Sequence, residues 1–302
     1  MSFSAEDVKK LREKTGCGMM DCKKALIYSK GDESKAIDFL REKGLATAAK
    51  KAGRIASEGI AFAMSNSNGG VLIEVNSETD FVAKNNEFKN FVKLCADCIL
   101  KNKPYDIESL LKIVPENLSD NLGNILNEKI LKIGENIKIR RFKFLEGVTS
   151  SYVHTDGRIA VLVKFDADNS VFGNEVFQTM SKDIAMQIAA INPLYLNQDK
   201  VPEEVLEHEK KILLEQAKAQ GKPEQIAKRM VEGRIKKYFK EHCLLNQEFV
   251  KDNSLTVSQY VDKISSAIGQ KINITEFVRY ERGEGLEKKD ENFAQEVSKI
   301  LN

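Results

Sequence analysis

Tryptophan is absent from this chain of 302 residues, which has only three histidines, five cysteines and five prolines. The odd number of scattered cysteines argues against a disulfide framework and predicts a reduced, cytosolic compartment. No apolar run approaches the about 18 residues that a membrane span needs. The acidic N-terminus also lacks the apolar core of a signal peptide, so we expect no association with a membrane.

An excess of charge of one sign is also lacking. The chain has 47 Lys and Arg residues against 45 Asp and Glu residues, which gives a formal net charge of +2. No basic tract is interleaved with aromatic residues, as a nucleic-acid groove would require. We therefore expect no direct nucleic-acid partner.

Groups that perform covalent chemistry are equally scarce. The glycine loop at residues 16–18 lacks the third glycine and the preceding strand of a dinucleotide-binding motif. Cys95 and Cys98 are spaced like half of a zinc site, but no second pair follows, so core positions in a helix explain them better. The histidines are far apart in the sequence: His154, His208 and His242. The sequence thus predicts no catalytic residue, no cofactor and no bound metal.

Three short helices are predicted in residues 1–54. Ser4 is the expected N-cap of the first helix, which ends near residue 12. The second helix runs from Asp21 to about residue 28, and the third begins after Asp32 and ends at Gly44. A helical linker rich in Ala and Lys follows. A bundle this short buries little surface, so we expect a small docking module attached to a larger body.

A pattern of two strands and a helix, followed later by a helix and a strand, occurs twice. Gly69-Gly70 forms the turn between the strands of the first copy, and Asp156-Gly157 forms the turn of the second. A helix over residues 86–100 follows the first pair of strands. The repetition predicts an α+β fold with two related α+β subdomains and small antiparallel sheets, at residues 55–145 and 146–285.

The second copy contains an insertion at about residues 200–241. Two helices separated by a Gly-Lys-Pro break carry apolar residues at heptad spacing, among them Val205, Ile212 and Ala219. This pattern predicts an antiparallel coiled-coil hairpin whose apolar side lies against its own core, a second copy of the chain or a partner. A C-terminal helical module at residues 286–302 completes the predicted architecture.

An acid and a large aromatic residue, Asp80 and Phe81, stand together at a predicted helix start that follows the apolar run at residues 71–75. Phe81 is either a wedge directed at a partner or a core residue. In the second case Thr79 or Asp80 is simply the N-cap of a helix.

Two further places carry candidate binding residues. Met19 and Met20 follow a tight glycine loop, and paired methionines form either an adaptable exposed contact or part of the module's core. His154 precedes a hairpin turn and is a candidate for a contact at the surface.

Five segments resemble signatures of the bacterial elongation factor Ts family, and they stand in that family's order across essentially the whole chain. They are LREKTGCGMMDCKKAL at 11–26, TDFVAKN at 79–85, KIGENI at 132–137, GKP at 221–223 and MVEGR at 230–234. The resemblance implies a ubiquitin-associated-like (UBA-like) N-terminal module, a core of two subdomains, an inserted coiled coil and a C-terminal helix.

The resemblance also implies a function, because members of this family are guanine-nucleotide exchange factors for elongation factor Tu. The family segment that disturbs the partner's Mg²⁺ site corresponds here to Thr79, Asp80, Phe81 and Val82. The contact with the partner's nucleotide-binding domain corresponds to Arg12, Met19 and Met20, and a further contact corresponds to His154.

Assembly and an alternative function stay open at this point. A homodimer or a 2:2 complex with elongation factor Tu is possible on the sequence. The alternative is a helical adaptor without exchange activity, or an RNA- or ribosome-associated binding protein, which would use the N-terminal module and the hairpin as docking arms.

Overall fold

A computed structural model describes residues 3–220 and 223–287 of the chain. In chain order the helices are α1 (Ala5–Thr15), α2 (Met19–Tyr28), α3 (Glu33–Lys51), α4 (Asp80–Lys84), α5 (Asn86–Asn102), α6 (Ile107–Leu111), α7 (Leu122–Ile133), α8 (Glu175–Ile191), α9 (Glu203–Ala219), α10 (Glu224–His242) and α11 (Val257–Ile268). The strands are β1 (Glu58–Asn66), β2 (Gly69–Ser77), β3 (Lys138–Glu146), β4 (Thr149–His154), β5 (Ile159–Asp166), β6 (Glu248–Phe249), β7 (Asp252–Thr256) and β8 (Asn273–Glu281).

The three N-terminal helices enclose a small apolar core of their own. Ser4 caps α1, accepting a hydrogen bond from the Asp7 backbone N–H at 3.2 Å, and Asp32 caps α3. Both caps were predicted, but α1 continues past residue 12 to Thr15, and α2 begins at Met19 rather than Asp21. The buried side chains of the core are Val8, Leu11, Cys17, Cys22, Ala25, Leu26, Ala36 and Leu40.

The prediction that Gly44 ends the third helix is wrong, because α3 continues to Lys51. Gly44 is buried, and a Cβ built on it would lie 3.4 Å from the backbone oxygen of Asn127 in α7. The glycine therefore lies within α3 at its contact with α7 and does not end the helix. Ala48, in the expected linker, packs against the apolar core beneath the first sheet.

Two three-stranded antiparallel sheets form the body of the protein, with strand orders β1-β2-β3 and β4-β5-β8. The apolar sides of α5 and α7 pack with the first sheet, and those of α8 and α11 with the second. This arrangement confirms the α+β class with small antiparallel sheets. Within α8, Met180, Ile184 and Ile188 are buried, whereas Val176 in the first turn is 47% exposed.

The two sheets also pack against each other, which the sequence analysis did not predict. The shared core is built from small and aliphatic side chains: Ala61, Ala63, Leu72, Leu145, Ala160 and Leu162. Gly70 shows how close the sheets are, because a Cβ at this position would lie 2.4 Å from Leu162 Cδ1. The elements thus form four layers, with helices outside and two sheets between them.

The predicted hairpin is present as the antiparallel pair α9 and α10. Its buried positions differ from the predicted heptad, since Ile212 and Ala219 are exposed whereas Ala217 and Ala227 are buried near the tip. Alanine side chains are short, so the two helices can approach closely there. The base of the hairpin is held by a bridge between Tyr195 and Cys243.

A buried polar network joins this base to α8. Gln187 donates to Gln247 Oε1 at 3.2 Å, and Gln247 donates to the backbone oxygen of Glu241 at 2.9 Å.

Among the described residues, no helix is long and apolar enough to cross a membrane. The predicted C-terminal helix lies outside the described residues.

Candidate functional site

The segment that carries Asp80 and Phe81 forms a sharp turn between the first sheet and α5. Strand β2 is buried along its whole length, and Thr79 caps the short helix α4, accepting from the Val82 N–H at 3.4 Å. Asn85 ends α4 and caps α5, accepting from the Glu87 N–H at 2.7 Å. One residue thus closes one helix and opens the next, which fixes the direction in which α4 points.

Phe81 is exposed on this turn, with 79% of its surface accessible. Val82 and Ala83, the next two residues of α4, are buried at 8% and 4%. Because successive helical residues point about 100° apart, burying Val82 and Ala83 turns Phe81 outward. The predicted N-cap role of Thr79 is confirmed, and the alternative that placed Phe81 in the core is wrong.

Two glutamates brace this turn by connecting it to the loop after α7: Glu135 of that loop accepts hydrogen bonds from the turn, and Glu78 of the turn accepts one from the loop. The Glu135 carboxylate accepts hydrogen bonds from the backbone N–H groups of Glu78 and Thr79 at 3.1 and 3.0 Å, and from the Thr79 hydroxyl at 2.6 Å. The Glu78 carboxylate in turn accepts from the Asn136 N–H at 2.6 Å. Hydrogen bonds to charged groups are among the stronger ones, so the backbone before Phe81 is held firmly.

Asp80 lies beside Phe81 and forms an ion pair with Lys84, with Oδ2 and Nζ 2.6 Å apart. This hydrogen bond is the main cause that lowers the pKa of the Asp80 carboxyl, and the nearby charge of Arg282 acts in the same direction. The turn therefore presents an exposed ring next to an ionised carboxylate at neutral pH.

His154 is exposed at the end of β4, and its Nδ1 lies 2.9 Å from the Tyr152 hydroxyl. The turn that follows, Thr155–Gly157, has positive φ at all three positions, 45°, 52° and 89°. A Cβ at Gly157 would lie 2.6 Å from Ile60 Cγ2, so only glycine fits where this turn rests on β1.

Arg282 connects the Phe81 turn and the turn after His154 at one end of the molecule. Its guanidinium lies 3.1 Å from Glu58 Oε2, and its backbone N–H donates to the Arg158 oxygen at 2.9 Å. Glu58 pairs with Ser77, the last residue before the Phe81 turn, and Arg158 follows the turn after His154. The structure therefore brings the two predicted contact regions to the same edge of the sheets.

Glu74 is a buried charge that the sequence analysis did not identify. Its side chain is fully inaccessible, and its carboxylate accepts hydrogen bonds from Arg140 Nη1 at 3.0 and 3.2 Å and from Arg141 Nε at 2.7 Å. The Gly283 N–H donates to it at 2.8 Å. The sequence signal was an acid inside the apolar run of β2, where a charge needs buried partners. Glu74 thereby joins three parts of the chain just before the Phe81 turn.

The residues expected in the N-terminal contact are all accessible. Arg12 is exposed on α1, and Met19 and Met20 are 43% and 60% exposed at the start of α2. The alternative that buried both methionines in the module's core is therefore wrong. Lys51 at the end of α3 donates to the Gly134 oxygen, next to the Glu135 brace. The module is thus connected to the Phe81 turn through α3.

The cysteines and histidines that could in principle catalyse a reaction or bind a metal lie in the core or on the surface of the protein. All five cysteines are buried free thiols, and burial raises the pKa of Cys95, Cys17 and Cys22 above the usual range. Within residues 3–220 and 223–287, no cluster of three His, Cys, Asp or Glu side chains could hold a metal ion. His208 is exposed on α9, and the His242 ring lies 4.4 Å from that of Tyr238.

Comparison with known proteins places the chain in a family. Residues 78–284 match the family model described as "Elongation factor TS". The chain is 52% identical to elongation factor Ts of Clostridium acetobutylicum, over 99% of this chain and 98% of that protein. It is 48% identical to elongation factor Ts of Clostridium novyi, over 99% of each chain. The protein is a translation elongation factor by family. It belongs to the elongation factor Ts family.

Proposed function

We propose that this protein is a guanine-nucleotide exchange factor that binds elongation factor Tu in its GDP form and promotes release of GDP. The observation that carries the proposal is the Phe81 ring, which is 79% exposed on a turn braced by Glu78 and Glu135. An exposed aromatic side chain on a rigid support can enter the packing of a partner without first giving up its own contacts.

The inserted Phe81 ring would act on the binding of the nucleotide to the partner. In a GTPase, Mg²⁺ bridges the phosphates of the nucleotide to the protein and demands near-octahedral geometry. Phe81 would displace the elements that position these ligands, and the ionised Asp80 carboxylate would disturb the hydrogen bonds and charge around them. GDP then loses affinity, about tenfold for each 1.4 kcal/mol of lost contacts.

Exchange needs no covalent step by this protein. Coupling between two ligands is reciprocal, so if the factor weakens GDP binding, nucleotide weakens binding of the factor by the same amount. Incoming GTP therefore displaces the factor and completes the cycle. The activity of the protein is a change of binding equilibria in its partner.

Docking would use two other exposed regions. We assign the contact with the partner's nucleotide-binding domain to Arg12, Met19 and Met20 in the N-terminal module, residues 1–54, and a further contact to His154. The core at residues 55–285 would present both Phe81 and His154. A 1:1 pair and a 2:2 assembly built on a homodimer both fit this arrangement, and sedimentation of the complex would distinguish them.

Release of a fluorescent GDP analogue from purified elongation factor Tu tests the proposal. We expect a catalytic amount of the protein, far below the amount of elongation factor Tu, to accelerate release strongly. Binding without acceleration would leave an adaptor that has the fold but not the exchange activity. Absence of binding would contradict the proposal altogether.

A further inference from the structure

A groove of about 300 Å³ lies between α5 and the turn that follows His154. Its floor is apolar and comes from Ile60 and Phe62 of β1 and Val92 of α5. Ile60 and Val92 also belong to the core beneath the first sheet, with 5% and 1% of their surface exposed. The floor is thus a fixed part of the body and is large enough for an apolar side chain of a partner.

The wall on the α5 side is positively charged. Lys89 and Lys93 are one helical turn apart and line the groove together with Asn86 and Asn90. Within the described residues, neither lysine forms an ion pair with an acidic side chain. The nearby acid Glu87 instead lies on another side of the helix, 2.6 and 2.9 Å from Lys129 and Lys132. Two lysines without acidic partners therefore face the opening.

The opposite wall is a strained turn. Thr155 and Asp156 have left-handed backbone conformations, with φ of 45° and 52°, and Asp156, Gly157 and Val153 line the groove. A β-branched residue such as threonine rarely adopts this conformation, and strain of this kind clusters where a loop is shaped for binding. The contact between Gly157 and Ile60 holds the wall at a set distance from α5.

The position of the groove joins the two contact regions already described. Asn86 on its rim is the first residue of α5 and directly follows the Phe81 turn and its cap Asn85. Val153 and Asp156 on the other rim flank His154. A partner that covers both Phe81 and His154 must therefore pass over this groove.

We propose that the groove binds a segment of the GTPase partner that carries an apolar side chain for the floor and a carboxylate facing Lys89 and Lys93. This inference rests on the proposed function and adds the chemistry of the segment that is recognised. The acid is assigned to the α5 side because the positive charge is confined to that wall, whereas the opposite wall carries Asp156. The partner's identity as a GTPase comes from the proposed exchange activity.

The test compares two full-length variants with the wild type. Binding of each to nucleotide-free elongation factor Tu is measured by surface plasmon resonance at low and at high salt. Lys89→Glu combined with Lys93→Glu reverses the charged wall, and Asn90→Trp fills the groove with an indole ring. Lys89 lies near the start of α5, where an acid is favourable to the helix, and Lys93 is exposed to solvent, so the charge reversal should not impair folding. Lys263→Glu reverses one exposed lysine on α11, away from the groove, and serves as the control for a charge reversal elsewhere on the surface.

We expect the charge reversal to weaken binding about tenfold at low salt, mostly through slower association, and the effect to shrink as salt screens the charges. Asn90→Trp should weaken binding at both salt concentrations through faster dissociation, and Lys263→Glu should bind like the wild type. If the wild type binds and both groove variants bind equally well, the groove is not part of the interface. If the wild type itself does not bind, the proposed function fails instead. A change in self-association with unchanged affinity for elongation factor Tu would make the groove a self-interface and overturn the inference.

Discussion

The Thr79 hydroxyl donates a hydrogen bond of 2.6 Å to the Glu135 carboxylate, and the same carboxylate accepts from the Thr79 N–H at 3.0 Å. These residues are 56 positions apart, so the Glu135 carboxylate joins the loop after α7 to the turn after β2, alongside the hydrogen bond from the Asn136 N–H to Glu78. The Thr79 hydroxyl also receives the cap hydrogen bond from the Val82 N–H. One threonine therefore connects the brace to the helix that presents Phe81.

Glu135→Ala should lower both the stability and the exchange activity. The substitution leaves three donors without their acceptor, and we expect a loss of about 1–3 kcal/mol in the free energy of unfolding, measured with urea. Glu135→Gln keeps one carbonyl oxygen and should lose less on both measures. A stability loss with fully retained GDP release would show that the brace does not position Phe81.

Phe81→Ala should separate docking from exchange. The ring is 79% exposed, so its removal should leave the thermal unfolding midpoint unchanged. In saturated complexes we expect GDP release to slow about tenfold or more, while the dissociation constant of the complex changes much less. The matched control is Tyr105→Ala, which removes an 89% exposed aromatic ring elsewhere on the surface. Collapse of docking with an unchanged release rate in the bound complex would contradict the wedge.

Glu74→Gln should be destabilising, although the side chains are nearly the same size. Removing the buried carboxylate should cost about 1–3 kcal/mol, because Arg140 and Arg141 lose the charged acceptor they share, although their side chains are 21% and 30% exposed and Arg141 still pairs with Glu284. The measurement is the free energy of unfolding in urea. Glu116→Gln, in an exposed pair with Lys101, should leave stability unchanged. Equal effects of the two substitutions would rule out a structural role for the Glu74 cluster.

Tyr260 should make stability sensitive to alkaline pH. Burial, together with the charge of Asp183 and the hydrogen bond to it, raises the pKa of Tyr260 to about 12. A raised pKa in the folded state means that the contribution to stability is complete below the usual value of about 10 and is lost as the pH rises toward 12. We therefore expect the stability difference between wild type and Tyr260→Phe to shrink over that interval in urea titrations. A constant difference would show that Tyr260 does not titrate differently in the folded protein.

Local features of the fold could be predicted from the sequence because their causes are local. Ser4, Asp32 and Thr79 cap helices through hydrogen bonds to residues three positions away, and such caps can be recognised in any short segment. The bounds of α7, Leu122–Ile133, follow from its apolar spacing and from Gly134 after it. Asp156-Gly157 likewise marks the turn of the second hairpin, but the prediction that Gly69-Gly70 forms the first turn is wrong, because the turn is Ser67-Asn68 and the two glycines begin β2, paired with β1.

The features that the sequence analysis missed depend on distant contacts. Gly44 resembles a helix end unless the neighbouring Asn127 backbone is known. Glu74 accepts from a backbone N–H 209 positions away, and nothing near it in sequence indicates that partner. Phe81 points outward because its neighbours Val82 and Ala83 are the residues of α4 that are buried in the core. The partner-binding roles of Arg12, Met19, Met20 and His154 stay predictions.

Helix α3 runs without interruption from the N-terminal core, where Ala36 and Leu40 are buried, to Ala48 and Lys51 against the body. This helix therefore holds two surface points, the exposed methionines and Phe81, at a fixed distance from each other. A partner that engages both points must match that spacing, and a GTPase conformation with a different spacing can engage only one of them. Under the proposed exchange function, the fixed distance favours the matching conformation of the partner by the binding energy of the second contact, and the length of α3 then determines which conformation of the partner is favoured.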